Sequence, residues 1–248
     1  MRYLVLSDVH SNLEALEAVL KAAPAHKYEA SVVLGDLVGY GADPNAVVER
    51  IRGLAPIAVI RGNHDKVATG LEDARDFNTV ARTAARWTRE ALTSETRDYL
   101  LALPAGPLLV GDALEICHGS PLDEDLYIVE EHDALTAFSA TRRQICLFGH
   151  THVALAARLQ DGGGVLVEMP RGHPEIEVKI EAENKYMINP GSVGQPRDGD
   201  SRAAYAIVDT ERQRAILYRV SYPIEAAQAK ILAAGLPPML AHRLGMGR

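Results

Sequence analysis

Cysteine is nearly absent from this chain: two residues, Cys117 and Cys146, among 248. Two thiols build no disulfide framework, so a reducing compartment suits the chain. Long apolar runs are missing too. No stretch approaches the ~20 apolar residues that a spanning helix needs, which excludes a helical membrane protein. The Met1–Leu6 start is apolar but is cut by Ser7, Asp8 and His10, too short for the apolar region of a signal peptide. The expectation is a soluble, cytoplasmic protein. An excess of positive charge is also lacking. Lys+Arg number 26 against 33 Asp+Glu, a formal net charge of -7, which argues against a nucleic-acid coat or a polybasic membrane binder. A small anionic substrate stays possible, because a bound metal supplies local positive charge. There is no internal repeat, no low-complexity tract and no linker. With 47% hydrophobic and 24% charged residues, the chain has the composition of a globular domain with a sizeable core.

The first third alternates strands and helices. Tyr3–Leu6, Ser31–Leu34 and Ile57–Ile60 read as buried strands. Asn12–Ala23 carries Leu13, Leu16, Val19 and Leu20 on one helical stripe, and Pro44 opens a second helix to about Arg52. That order predicts a parallel sheet. Residues 66–103 are polar and Arg-rich and read as two or three inserted helices. They form either a cap over a cleft or additional core. Arg82, Arg86 and Arg89 have helical spacing there and read as a solvated face. Leu108–Val110 and Ala113–Cys117 look like a hairpin, Glu131–Ala140 a helix and Ile145–Phe148 a buried strand. From Val153 to Val220 strands dominate, which suggests a second, largely antiparallel sheet packed on the first. Tyr222–Ala234 is a last helix, and Gly235–Arg248, with Pro237 and Pro238, reads as a loose tail. The organisation expected is one α/β domain over 1–248.

Of nine histidines, five (His10, His64, His118, His150 and His152) fall just after expected strands. In open α/β sheets ligands bind at those carboxyl ends. In an extended segment residues i and i+2 share a side, so Asp8 and His10 can converge on one cation, and so can His150 and His152. Carboxylate and imidazole together suit a borderline divalent metal. Either pair alone equally fits an ordinary capping or core role. Asp36, in Gly35-Asp36-Leu37-Val38-Gly39, can bridge two cations or simply cap a turn. Asn63 and His64 are adjacent and so point apart in an extended chain: Asn63 offers a neutral oxygen ligand, and His64 faces a substrate. The combination, rather than any one motif, carries the inference.

Together these motifs resemble the calcineurin-like metallophosphoesterase superfamily, whose pattern is D-x-H, G-D-x-x-G, G-N-H-D/E, a later H and G-H-x-H. Every part is present in order from Asp8 to His152. Ser7–Asn12 and Asn189–Gly194 look like the small bacterial and archaeal phosphodiesterase-like branch, and the resemblance spans Met1–Asp198. It implies a four-layer α/β/β/α sandwich of two mixed sheets with a helical insertion. It also implies two divalent metals, one held by Asp8, His10, Asp36 and His152 and the other by Asp36, Asn63, His118 and His150. Manganese is the first expectation, with iron, nickel, zinc or magnesium as alternatives. A metal-bridged hydroxide would attack phosphorus, with Asp36 and His64 as the catalytic residues. His64 would stabilise the transition state or protonate the leaving group. Asn63, His64, Arg197 and Tyr40 are the substrate-contact candidates, and Arg61 is a further phosphate candidate. One departure stands out. The superfamily's protein phosphatases read G-D-x-V-D-R-G where this chain has Gly39 and Tyr40, so protein-phosphatase activity is not expected. Asp65 is left as the alternative partner for His64. Cys117 and Cys146 read as buried free thiols. The expected function is hydrolysis of small phosphodiesters or phosphomonoesters. A metal-dependent nuclease and a non-catalytic metal-binding regulatory protein are the alternatives. Long nucleic acid is disfavoured by the net charge.

Overall fold

The structure, a computed structural model, describes residues 1–169 and 172–248. Strand β1 (Arg2–Leu6) leads through helix α1 (Leu13–Ala22) and a 3-10 turn (Ala23–His26) to β2 (Ala30–Val33). Helix α2 (Pro44–Gly53) then leads to β3 (Ala58–Val59), and β1, β2 and β3 pair in parallel. Asn12 caps α1 by accepting the Ala15 N–H at 3.1 Å. Helices α3 (Asn63–Thr69), α4 (Thr79–Ala91) and α5 (Ser94–Leu101) follow, the insertion expected from the sequence. The insertion starts earlier than the sequence suggested. Asn63 and His64 form the first turn of α3 instead of an extended loop.

The second sheet begins with the hairpin β4 (Leu108–Val110) and β5 (Leu114–Ile116). After α6 (Glu131–Phe138) come β6 (Ile145–Leu147), β7 (Leu155–Leu159) and β8 (Val165–Glu168). The chain then continues through β9 (Glu175–Lys179), β10 (Lys185–Asn189), β11 (Ala203–Asp209) and β12 (Arg214–Val220). The late strands do not form a sheet of their own, which corrects the reading from their run in the sequence and agrees with the two mixed sheets that the resemblance implies. The orders are β3-β2-β1-β11-β12-β9 and β4-β5-β6-β10-β7-β8, so each sheet is mixed and draws on both halves of the chain. A sequence pattern shows which residues are apolar but not which neighbour a strand selects.

Period-2 alternation builds the layers. Tyr3, Val5, Val32, Leu114, Ile116, Leu147, Ile188 and Val208 face between the sheets. Leu4, Leu6 and Val33, their alternates in β1 and β2, face outward onto α1 and α2, and Cys146, Phe148 and Met187 pack under α6. The result is the α/β/β/α sandwich. Gly235–Arg248 is not a loose tail. It contains α8 (Pro238–Met246), which packs on α7 (Ile224–Ala233) and buries Leu240 and Leu244.

The site follows from this topology. The parallel strands β1, β2 and β3 of one sheet, and β5, β6 and β10 of the other, send their carboxyl ends to one edge of the sandwich.

Candidate metal centre

Asp8, His10, Asp36 and His152 form one buried cluster, and Asp36, His118 and His150 form a second, each with its potential ligand atoms within 4.8 Å of one another. Asp36 belongs to both. The route to this convergence differs from the extended geometry expected. Asp8, His10, Asp36, His150 and His152 all have positive φ, between 49° and 67°. Left-handed non-glycine residues are costly and cluster at functional sites. Here the turns are held by backbone bonds between the loops after β1 and β2, Asp8 N–H to Gly35 O at 3.1 Å and His10 N–H to Asp36 O at 3.0 Å. Gly149 lets the loop after β6 approach, since a Cβ there would overlap the Ser7 hydroxyl.

Carbonyl groups set the ring tautomers. Nδ1 of His10 donates to Val38 O at 3.1 Å, Nδ1 of His118 to Leu34 O at 2.7 Å and Nδ1 of His152 to Gln195 O at 2.7 Å. Each assignment turns Nε2 toward the centre. For His150 the roles reverse: Nε2 faces Asp125 O at 3.1 Å, freeing Nδ1. The two bare Nε2 atoms of His10 and His152 lie 3.0 Å apart. Asp36 Oδ2 is buried with no hydrogen-bond partner among the described residues, 3.3 Å from His10 Nε2 and 3.5 Å from His118 Nε2. Lone pairs that face one another in a buried site need a proton or a cation between them. The residues present therefore fit divalent metal ions. Asn63 Oδ1 lies 3.2 Å from His118 Nε2, on the same side.

The electrostatics agree. Burial alone would raise Asp36, but His118, His64 and His10 around it hold it well below the usual carboxylate range. Burial alone would lower His118, yet Asp36 beside it lifts it to about 10, so without a metal its Nε2 carries a proton that a bound cation would displace. Burial pushes His10 and His152 well down, His150 to about 3 and His64 to about 4. These four rings are neutral at pH 7, and for His10, His150 and His152 that is the form that ligates metal. Burial raises Asp8 to about 6, opposed by His118 and reinforced by Asp36.

His64 sits beside the clusters. Its backbone N–H donates to Asp36 Oδ1 at 2.9 Å, and its ring packs among His10, Tyr40 and Phe77 with centroids 4.3–4.9 Å away. Asp65 does not orient it. That carboxylate instead accepts the N–H groups of Val38 at 3.1 Å and Gly62 at 2.9 Å, and so braces the Asp36 loop. Arg61 does not face the centre either, because it makes a two-pronged pair with Glu124 at 3.0 and 3.2 Å. Arg197 does come to the site. It bonds the Tyr40 hydroxyl at 3.3 Å and Gln195 Oε1 at 3.1 Å, with its guanidinium carbon 5.6 Å from the Tyr40 ring.

Several contributors were invisible in the sequence. Tyr127 stacks on His150 at 4.0 Å, and Phe77 walls His64. Both are lone aromatics in loops without a motif. Lys66 anchors their surroundings through Asp125 at 2.6 Å, Glu72 at 2.9 Å and Glu124 at 3.2 Å. The Asn189–Ser192 loop was legible. Ser192 Oγ donates to Asp8 O at 2.8 Å, and Asn189 Nδ2 to Gly149 O at 2.7 Å.

Residues 1–213 match the calcineurin-like phosphoesterase superfamily domain. The chain belongs to that superfamily. It is 35% identical, over 98% of its own length and 97% of the relative's, to an uncharacterized protein of Methanocaldococcus jannaschii. A metallophosphoesterase crystal structure from Sphaerobacter thermophilus superposes with a TM-score of 0.87 and 41% identity, covering 100% of both chains. A hypothetical protein from Pyrococcus horikoshii shares the fold at a TM-score of 0.81 and 23% identity, covering 100% of this chain and 98% of that one. Within this calcineurin-like phosphoesterase the Gly39 departure has a steric reason. A Cβ on residue 39, whose φ is +98°, would stand 2.7 Å from His64 Nδ1. No side chain fits there while the ring keeps its position.

Proposed function

We propose that this calcineurin-like phosphoesterase hydrolyses small phosphodiesters or phosphomonoesters at a centre of two divalent cations. Asp8, His10, Asp36 and His152 would hold one ion, and Asp36, Asn63, His118 and His150 the other. Manganese is the first candidate, with iron, nickel, zinc and magnesium to be compared. When bound, such a pair activates water and neutralises phosphoryl charge. The observation that carries the proposal is Asp36 Oδ2, a buried carboxylate oxygen without a hydrogen-bond partner among the described residues, with one imidazole Nε2 from each cluster beside it.

The chain's own residues have separable tasks. Arg197 has no carboxylate within ion-pair distance among the described residues, and its contacts with Tyr40 and Gln195 fix its direction. It would hold a phosphoryl oxygen, with Tyr40 as its positioning residue. His64 Nδ1 is buried and unpartnered, so exchange with substrate falls to Nε2. A ring held at about 4 is neutral at pH 7. It would act there as an N–H donor to the leaving oxygen, a role suited to a site that excludes water. Phe77, from the inserted segment, excludes water on one side of His64, which supports a framing role for residues 66–103. The net charge of -7 favours small substrates over long nucleic acid.

The test is hydrolysis of bis-p-nitrophenyl phosphate and p-nitrophenyl phosphate by metal-stripped protein, with each metal added back. Turnover should return with metal and fall by about 10²-fold or more in Asp36→Asn. The ratio of diester to monoester rates then sets the substrate class. Two bound ions without turnover on either ester would favour the non-catalytic regulatory reading.

A further inference from the structure

A second charged feature lies on the inserted helices, outside the metal clusters. Val67, Asp73, Ala74, Arg75, Arg82, Ala85, Arg86 and Arg89 surround a groove of about 400 Å³. The helical stripe Arg82, Arg86 and Arg89 is not simply a solvated face. Arg82 reaches across the groove to three backbone carbonyls, Ala74, Arg75 and Phe77, each at 3.0 Å. Arg89 donates to Val67 O at 2.5 Å, and the neighbouring Arg97 to Thr69 O at 2.9 Å. Carbonyls fix the direction of a guanidinium without cancelling its charge.

That distinguishes these arginines from most others in the chain. Arg50, Arg52, Arg61, Arg142 and Arg158 each pair with a glutamate. Arg82, Arg86, Arg89 and Arg97 have no carboxylate within ion-pair distance among the described residues. Asp73 is the one carboxylate on the lining, and it pairs with Arg75 at 3.1 Å. Three uncompensated positive charges therefore share one groove on a protein of net charge -7. From Arg82 to Arg89 is seven residues, about 10 Å along the helix. Three guanidiniums spread over that length, two of them oriented by carbonyls, match several linked phosphates better than a single carboxylate.

We infer that this groove binds a condensed phosphate group, a di- or triphosphate, either free or carried on a nucleoside. It is a site separate from the metal centre. Arg86 is the residue to test. It makes neither a hydrogen bond nor an ion pair among the described residues, so its removal leaves the packing intact.

The experiment titrates the full-length protein, as purified and after EDTA treatment, with tripolyphosphate. Binding is followed by calorimetry and by the fluorescence of Trp87, which lies on the same helix. Saturable binding is expected in both preparations, weakened by added salt, by about tenfold in Arg86→Ala and by more in Arg86→Glu, and unchanged in Asp36→Asn. Parallel titrations with ADP and ATP separate a free condensed phosphate from a nucleoside-borne one. No saturable binding, equal affinity in Arg86→Glu, or loss of binding in Asp36→Asn would each overturn the inference. So would tight binding of an oligonucleotide that tripolyphosphate cannot displace, which would make the groove a nucleic-acid track.

Discussion

His64 has a buried Nδ1 with no hydrogen-bond partner among the described residues, facing a glycine where the protein-phosphatase branch carries an aspartate. The position of that ring depends on the empty space above Gly39. Gly39→Ala should therefore lower kcat by about tenfold or more while bound metal stays constant, and should cost about 1 kcal/mol from the +98° φ alone. Steady-state kinetics beside metal analysis checks this. The ring also makes a pH prediction. Its folded value of about 4 lies below the unfolded 6.5, so the unfolded chain takes up a proton first as pH falls. The stabilisation is present above pH 6.5 and is lost progressively between there and about 4. In EDTA, urea unfolding should show the parent losing about 2 kcal/mol more than His64→Gln between pH 7 and pH 5. The convergence of Asp8, His10, Asp36, His118, His150 and His152 was legible because their chemistry is written as short motifs at strand ends. Gln195, whose carbonyl sets the His152 tautomer, was not, because a backbone oxygen has no sequence signature.

At the scale of elements, local patterns read well where period and punctuation agree, as in α1, α2 and the β4–β5 hairpin. They failed where tertiary packing decides. Helix α8 opens on Pro238, with Pro237 before it, in a short Gly-containing segment, and it is packed into the core beside α7. Leu240 is fully buried there. Leu240→Ala should cost about 2–5 kcal/mol, measured by denaturant unfolding, whereas a loose tail would show no change. Helix α3 was misread because Gly-Asn-His-Asp looks like a turn. Asp65, accepting the Gly62 N–H at 2.9 Å, instead closes the first turn of a helix. That turn changes how Asn63 and His64 diverge: they are successive residues of a helix, about 100° apart, instead of opposite faces of a strand.

Across the whole molecule, six strands drawn from two sheets point their carboxyl ends at one edge, and both clusters form there around Asp36. Strand order could not be read from the sequence, since β11 pairs with β1 through partners at opposite ends of the chain, Arg2 with Asp209 and Val5 with Ala206. That this shared edge holds two divalent ions acting together on a phosphoester is tested most directly by titrating metal-stripped protein with manganese while following bis-p-nitrophenyl phosphate hydrolysis. Activity should rise until two equivalents per chain are bound and then level off, with Asp36→Asn inactive throughout. Full activity at one equivalent, or activity that survives Asp36→Asn, would contradict a two-ion centre bridged by Asp36.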